Sequence, residues 1–451
     1  MQLTYSEEAT LNFYEWDYRY RGYYHFELPI DIEPPYRTFK FPLQSKNKKL
    51  DDGRVPSFFQ SIGKLLSPAP KEETSRELEE LEPRYLAPEK VPLYVGFSIS
   101  FPKGQDIIPR VNTEFLNMLA YSEYPISFEI VGSSESITIQ FICSEVDKQR
   151  IESHIKAYFP TVIIQNIDIS SFGFNSNQDV AIADFGINDE FVRPMTTTDN
   201  FSIDPLTSII ATMEYLQPND MVVFQTIFKG ITAPLAKDIT YAVSDGAGGS
   251  FFADAPEMSN CAKDKIANPL FSVVMRIATQ GKDKYRSQYL AKELARSITA
   301  VSNSEYNKLI PLSNEGYNYD FHKYNLDNRL SNRLGFILNS KELNTFLHYP
   351  NKSVVSKKLG LQNGKTKQVQ KAITNQKYIL GINEHNGLET KVTLNDEMRL
   401  RHAHIIGATG VGKSTLLANM LIEDMNAGNG CALFDPHGDI VEDILLRIPE
   451  H

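Results

Sequence analysis

Cysteine is scarce in this chain: there are three, Cys143, Cys261 and Cys431, and they lie far apart. That number at that spacing builds neither a disulfide framework nor a metal site, and it fits a reduced cytosol. Long uncharged apolar runs are missing; none reaches the length of about 18 residues that marks a membrane-crossing helix. The opening "MQLTYSEEATLNFYEWDYRY" has neither a basic n-region nor an apolar h-region, so it does not read as a secretory signal. Positive charge is short as well. Lys and Arg number 46 against 56 Asp and Glu, a formal charge of −10, unlike a protein coated with cations for nucleic acid. A local basic surface remains compatible with that total. The rest is ordinary for a globular chain, and 451 residues give room for two to four domains.

Five stretches are distinguishable. Residues 1–90 are an aromatic- and proline-rich segment with an acidic linker. Within it, "FYEWDYRYRGYYHFELPIDIEPPY" alternates as short strands and turns do. Its aromatics, interleaved with Arg19 and Arg21, are suited to strand packing or to stacking on bases. "VPSFFQSIGKLL" sets Phe58, Phe59, Ile62, Leu65 and Leu66 on one helical face, and an acidic, proline-bounded helix follows.

Residues 91–170 read as one ferredoxin-like βαββαβ unit. "LYVGFSISF" alternates, placing Leu93, Val95, Phe97, Ile99 and Phe101 on one face. A helix carries Ile108, Val111, Phe115 and Leu119. Strands "ISFEIV" and "SITIQFIC" flank a turn, a second helix carries Ile151, Ile155, Tyr158 and Phe159, and "TVIIQNIDI" closes the unit. Residues 171–350 repeat that order: strand "EFVRPM", a helix with Leu206, Ile209, Ile210, Met213 and Leu216, then strands "DMVVFQTIF" and "LFSVVMRIAT". A helix through Tyr285, Tyr289, Leu294 and Ile298 leads to a last strand at "KLIPL". A long insertion, 230–268, with "SDGAGGS" inside it, reads as a surface loop. The expected fold is thus α+β, two tandem ferredoxin-like units, ahead of the start of a RecA-like α/β P-loop domain.

Residues 351–377 hold Lys352, Lys357, Lys358, Lys365, Lys367, Lys371 and Lys377 without a single carboxylate. They read as a solvated linker, or as a segment able to meet phosphates. Residues 378–451 begin with a hairpin, "KYILGINEHNGLETKVTLN", turning at Asn386–Gly387.

The chemistry concentrates after that hairpin. Gly407, Gly412, Lys413 and Ser414 fit G-x-x-x-x-G-K-[ST], and the loop runs Gly407, Ala408, Thr409, Gly410, Val411, Gly412, Lys413, Ser414, Thr415. Glycines let the backbone curl so that its N–H groups converge, and the following helix adds its free N–H groups and dipole. In that pattern Lys413 reaches the β- and γ-phosphates of ATP and Ser414 joins a Mg²⁺ shell. The context agrees: "HIIG" as a strand before the loop, Leu416, Leu417, Met420 and Leu421 as a buried helix face, Gly428 as a stop, and "CALF" as the next strand. Asp435 sits at that strand's end, either as an acidic site residue or as a turn former before Pro436. Asp439 and Glu442 are spaced as a capping box. His437 has no partners at ligand spacing.

The loop with "DPHGD" (Asp435, Pro436, His437, Gly438, Asp439) resembles the HerA/FtsK superfamily of ring-forming P-loop ATPases, in particular its type IV secretion or conjugative DNA-transfer branch. "LNSKELNTFLHYP" and the hairpin are similar to what precedes the motor domain in that group. The specific resemblance spans about residues 330–451. It implies a homohexamer that uses ATP and Mg²⁺ to move DNA or a DNA–protein complex, with secretion or membrane-machine components as partners at the inner face of a membrane. Two departures follow from the comparison. The chain lacks the N-terminal membrane helices common in coupling proteins, and the Walker B acidic pair and arginine finger would lie beyond His451. The expectation is a C-terminally truncated motor, inactive alone. A secretion-apparatus assembly ATPase acting on protein, a non-hydrolysing nucleotide-binding scaffold and a small-molecule kinase are the competing readings.

Overall fold

The first part of the aromatic N-terminus folds as a helix, and the part after it meets the sheet through single bridges at Arg21 and His25. α1 (Tyr5–Tyr18) opens with a capping box: the Thr4 hydroxyl accepts the Glu7 N–H at 3.2 Å, and the Glu7 carboxylate accepts the Thr4 N–H at 2.7 Å. Ala9, Phe13 and Trp16 recur at helical spacing on its buried face, and that period prevails over the alternation of the aromatics. Trp16 lies 5.1 Å from the Phe191 ring and Phe13 4.8 Å from that of Phe252, so these rings serve the core and are unavailable for bases.

The computed structural model describes residues 3–41, 93–102, 107–169, 172–175, 178–245, 249–359, 368–385, 388–407, 410–436 and 438–448. The helices expected between residues 56 and 90, Lys365, Lys367, the Asn386–Gly387 turn, Ala408, Thr409 and His437 lie outside them. The chain divides into a unit of residues 1–363 and a unit of 364–451. Among the described residues no helix is long and apolar enough to cross a membrane.

In the first unit the element order β-α-β-β-α-β occurs twice. It runs first as β1 (Tyr94–Ser100), α2 (Pro109–Leu119), β2 (Ile126–Ser133), β3 (Ile137–Ser144), α3 (Glu145–Tyr158) and β4 (Ile163–Ile167). Phe97 and Ile99 face the core as alternation requires, whereas Leu93 is exposed ahead of the strand. The second series is β5 (Ala181–Ile187), α4 (Leu206–Glu214), β6 (Met221–Gly230), two extra helices, β7 (Leu270–Gln280), α7 (Lys284–Ser302) and β8 (Leu309–Pro311). Those extra helices, α5 (Leu235–Ala242) and α6 (Met258–Ile266), occupy the 230–268 insertion, so it is largely structured. "EFVRPM" is irregular; the strand lies upstream in "AIADFGI", where a buried Asp184 interrupts the apolar pattern.

Strands pair in the order β4-β1-β3-β2-β6-β7-β5-β8, making one antiparallel sheet whose halves meet at β2 and β6, from Ile126↔Phe228 to Ser133↔Met221. Gly230 ends β6 against the C-terminus of α2, where a Cβ would come 2.0 Å from the Ala120 carbonyl oxygen. One buried carboxylate gathers donors on both sides of the seam. The Glu129 carboxylate on β2 accepts from Gln140 (2.7 Å), Gln225 (2.8 Å) and Arg329 (3.0 Å).

A buried segment binds the halves together. α8 (Tyr319–Asn328) precedes β9 (Phe336–Asn339), which joins β7, and α9 (Ser340–Asn344) follows directly. Here the Asn344 amide donates to the Pro109 carbonyl and the Thr113 hydroxyl of the first series, each at 2.9 Å. His348 Nε2 lies 3.0 Å from Asp204 of the second. Glu342 pairs with Lys265 at 2.9 Å, both side chains fully buried. Residues 351–359, expected as solvated linker, instead lie on this unit. The Glu214 carboxylate accepts the Lys357 N–H at 3.0 Å and the Ser356 hydroxyl, and Ile137 donates to the Lys358 carbonyl at 2.8 Å. The apolar Val354 and Leu359, both buried, give the reason.

The second unit contains a hairpin, β10 (Tyr378–His385) with β11 (Leu388–Leu394), then α10 (Asp396–Arg399), α11 (Lys413–Asn426) and α12 (Asp439–Leu445). "HIIG" and "CALF" were expected as strands and carry no ladder; Ile406 is 81% and Phe434 93% exposed. A parallel strand draws its hydrogen bonds and its cover from neighbours on both sides, and neither segment has them here.

Candidate functional site

Two left-handed glycines shape the phosphate loop. Gly410 has φ +82° and Gly412 φ +91°, conformations in which a side chain is strained, and a Cβ at either would point into open space. Gly412 is also the N-cap of α11, with no side chain capping the helix start. The first turn of α11, with Ser414 and Thr415, thus begins without a side-chain cap, the arrangement in which helix-start N–H groups meet an anion. Lys413 curls back over the loop, its ammonium donating to the Gly407 carbonyl at 2.8 Å. Ser414 is exposed beside it, and Val411 is exposed at the loop's crest. The structure thus gathers Gly407, Gly410, Val411, Gly412, Lys413, Ser414 and Thr415 around one helix start.

These residues fit a triphosphate with Mg²⁺. Lys413 Nζ has a donor to exchange from carbonyl to phosphate, and the Ser414 hydroxyl stands at the first turn, where the family pattern has it meet the cation. Among the described residues no group of three or more His, Cys, Asp or Glu side chains gathers to hold a metal ion without the nucleotide.

Asp435 is drawn to the helix that follows it. Its carboxylate accepts the Ile440 N–H at 2.8 Å and so caps α12. The Asp439–Glu442 capping box does not form: the N-cap is Gly438 at φ +84°, and Asp439 is the first helical residue. Backbone geometry is the cause, since an N-cap side chain must leave from extended backbone and the "DPHGD" chain turns left-handed one residue early. The helix face after the loop is only partly covered. Ala418 is buried, Leu416, Met420 and Leu421 are half-buried, and Leu417 is exposed.

Sequence reading missed the brace that holds α11. Arg399 at the end of α10 reaches Asp424 on α11, Nη1 to Oδ1 at 2.9 Å and Nη2 to Oδ2 as well. The same guanidinium lies 4.4 Å above the Tyr378 ring at the start of the hairpin, and the Tyr378 hydroxyl donates to Asp396 at 2.6 Å. Hydrogen bonds from Tyr378 and then Lys377 hold the Asp396 carboxyl below its ordinary value. The hairpin, α10 and the loop's helix are thereby fastened together, and nothing in the local pattern around Arg399, one of two arginines in "NDEMRLRH", pairs it with Asp424.

Comparison with known proteins divides along the chain. Residues 106–243 match the family model "Domain of unknown function (DUF8128)". No curated protein matches. Among solved structures, glucooligosaccharide oxidase from Acremonium strictum is similar over 48% of this chain and 46% of that one, so the match spans under half of that chain. At 10% identity and a TM-score of 0.23 it carries no argument. Residues 381–442, which include the loop, match the family model "Helicase HerA, central domain", and this segment is therefore similar to that of a HerA/FtsK-like P-loop ATPase.

Proposed function

We propose that the chain belongs to a motor ATPase of the type IV secretion or conjugative DNA-translocation kind, working as a homohexamer that couples ATP hydrolysis to DNA movement. The observation that carries the reading is the uncapped start of α11, with Gly410 and Gly412 left-handed and Lys413 folded over the loop, inside the segment similar to the HerA central domain. ATP with Mg²⁺ would supply the transferable γ-phosphoryl group. The loop amides would hold its phosphates, Lys413 would neutralise their charge, and Ser414 would hold the cation. The first unit would be the docking tier, built from tandem ferredoxin-like halves.

The test is titration of a fluorescent ATP analogue with Mg²⁺ against the 451-residue chain. Lys413→Ala should weaken binding about 10- to 150-fold, the worth of a charge-assisted hydrogen bond, at an unchanged melting profile. Equal affinity of variant and parent would refute the assignment. A second reading, a scaffold that binds nucleotide without hydrolysing it, draws support from Asp435, whose carboxylate caps α12.

A further inference from the structure

α7 leaves one face in water. At helical spacing that face presents Tyr285, Gln288, Tyr289, Lys292 and Arg296, with Tyr285 86% and Tyr289 54% exposed. The buried work of the helix is done by Leu290, Leu294, Ile298 and Val301 on the other side, so the tyrosines are not needed for packing. Among the described residues no ring stacks on either tyrosine; Arg286 lies 5.7 Å over the Tyr289 ring. Further along, α7 and β8 at the sheet's end border a groove of ≈ 620 Å³, lined by Lys292, Arg296 and Lys308 with Thr299, Asn303 and small side chains, and by no carboxylate. One acid competes nearby: Glu293 lies 2.7 Å from Arg296 Nη1, in an exposed pair of the kind that contributes little.

We propose that this face is a single-stranded DNA track, with Lys292, Arg296 and Lys308 holding phosphates and Tyr285 and Tyr289 stacking on bases. The proposal rests on the DNA-translocation reading above and gives it a surface. Three cations with no carboxylate among the groove's lining residues, in a chain of net charge −10, mark a local site for a polyanion. Exposed rings one helical turn apart, continuous with the cations, supply what a charged groove alone lacks: flat faces on which bases of any sequence can stack. An acidic peptide would use the cations and leave the rings idle.

The experiment is fluorescence anisotropy of a labelled oligothymidylate of about 20 nucleotides, longer than a single site of about 4–16, on the whole chain across a salt series. The variant Lys292→Ala/Arg296→Ala/Lys308→Ala should lose about 100-fold in affinity at about 0.1 M salt and flatten the log–log salt slope by about 2, at about 0.7 per phosphate contact. Tyr285→Ala/Tyr289→Ala should lose about tenfold or more with the slope unchanged, and the paired Phe variants should restore it. All these side chains are exposed or line the open groove, and an unchanged urea midpoint confirms that each variant folds. Parent and triple variant binding equally would overturn the track and leave the DNA reading standing. A parent that binds the ATP analogue but no oligonucleotide would overturn the track and the DNA reading together. Polyglutamate competing as well as the oligonucleotide, charge for charge, would also overturn the track.

Discussion

Replacing Glu342 by Gln isolates the knot that ties α9 to the second series of the first unit. Lys265 Nζ lies 3.0 and 2.9 Å from the two carboxylate oxygens, and both side chains are fully buried. Burial pulls the Lys265 pKa down, and Glu342 is the charge that opposes this. The carboxylate also accepts the Met195 and Asn339 N–H groups, each at 2.8 Å. Glu342→Gln keeps the shape but presents an amide N–H₂ to a ring of donors and leaves the ammonium without its counter-charge. Breaking a buried pair from one side costs about 3–5 kcal/mol. With a urea dependence of about 3 kcal/mol per molar for a unit this large, the midpoint should fall by about 1–1.7 M. The chain's one tryptophan, Trp16, is buried against the second half and reports the transition by fluorescence. Lys265→Met should also destabilise, and the double variant should cost less than the sum of the singles by about 1–3 kcal/mol. A midpoint shift for Glu342→Gln below about 0.3 M, or strict additivity in the double variant, would refute the pairing argument.

Three further outcomes follow from the geometry. Burial alone would raise the Asp184 carboxyl, but His322, Arg276 and Arg333 around it bring it well below the usual carboxylate range. A depressed folded pKa contributes stability above the unfolded value of about 3.9 that is lost as pH falls through the folded one. Trp16 fluorescence should accordingly show acid unfolding below about pH 4, and Asp184→Asn should lower stability at neutral pH while flattening that acid limb. Gly230→Ala should cost about 3 kcal/mol or more, because its methyl would sit 2.0 Å from the Ala120 oxygen in a packed core; a urea midpoint equal to the parent's would contradict the contact. Asp435→Ala should remove about 1 kcal/mol of protection from the Ile440 amide in hydrogen exchange. Asp439→Ala should leave the Glu442 amide unchanged, and a loss of protection there would restore the capping box.

What the sequence made legible was what local periodicity controls. The stripe Leu206, Ile209, Ile210, Met213 and Leu216 is buried as its spacing requires, and β1, β3, β6 and β7 lie where apolar alternation or runs placed them. What it hid depended on partners far along the chain. β5 is one case: Asp184 looks foreign to a buried strand until Arg333 and His322 are brought to within 3.0 and 3.1 Å of it. The docking of residues 351–359 on Glu214 was invisible for the same reason, being a contact about 140 residues distant. In the candidate site the loop was readable because its glycines and lysine act within a few positions of one another. The Arg399–Asp424 brace and the Asp435 cap were not, since each needs the turn that brings its partner round.

The N-terminal helix has a consequence for the newborn chain. Tyr20 and Arg21 are fixed to the sheet by residues 336 and 337, through the Arg21↔Phe336 bridge and the Ile337 N–H on the Tyr20 carbonyl. At about 5–20 residues per second, the ribosome delivers that partner strand roughly 15–60 s after the helix. Phe191 and Phe252, on which Trp16 and Phe13 pack, emerge earlier, so the rings of α1 can find their seat while the bridge at Tyr20 and Arg21 still waits for its strand.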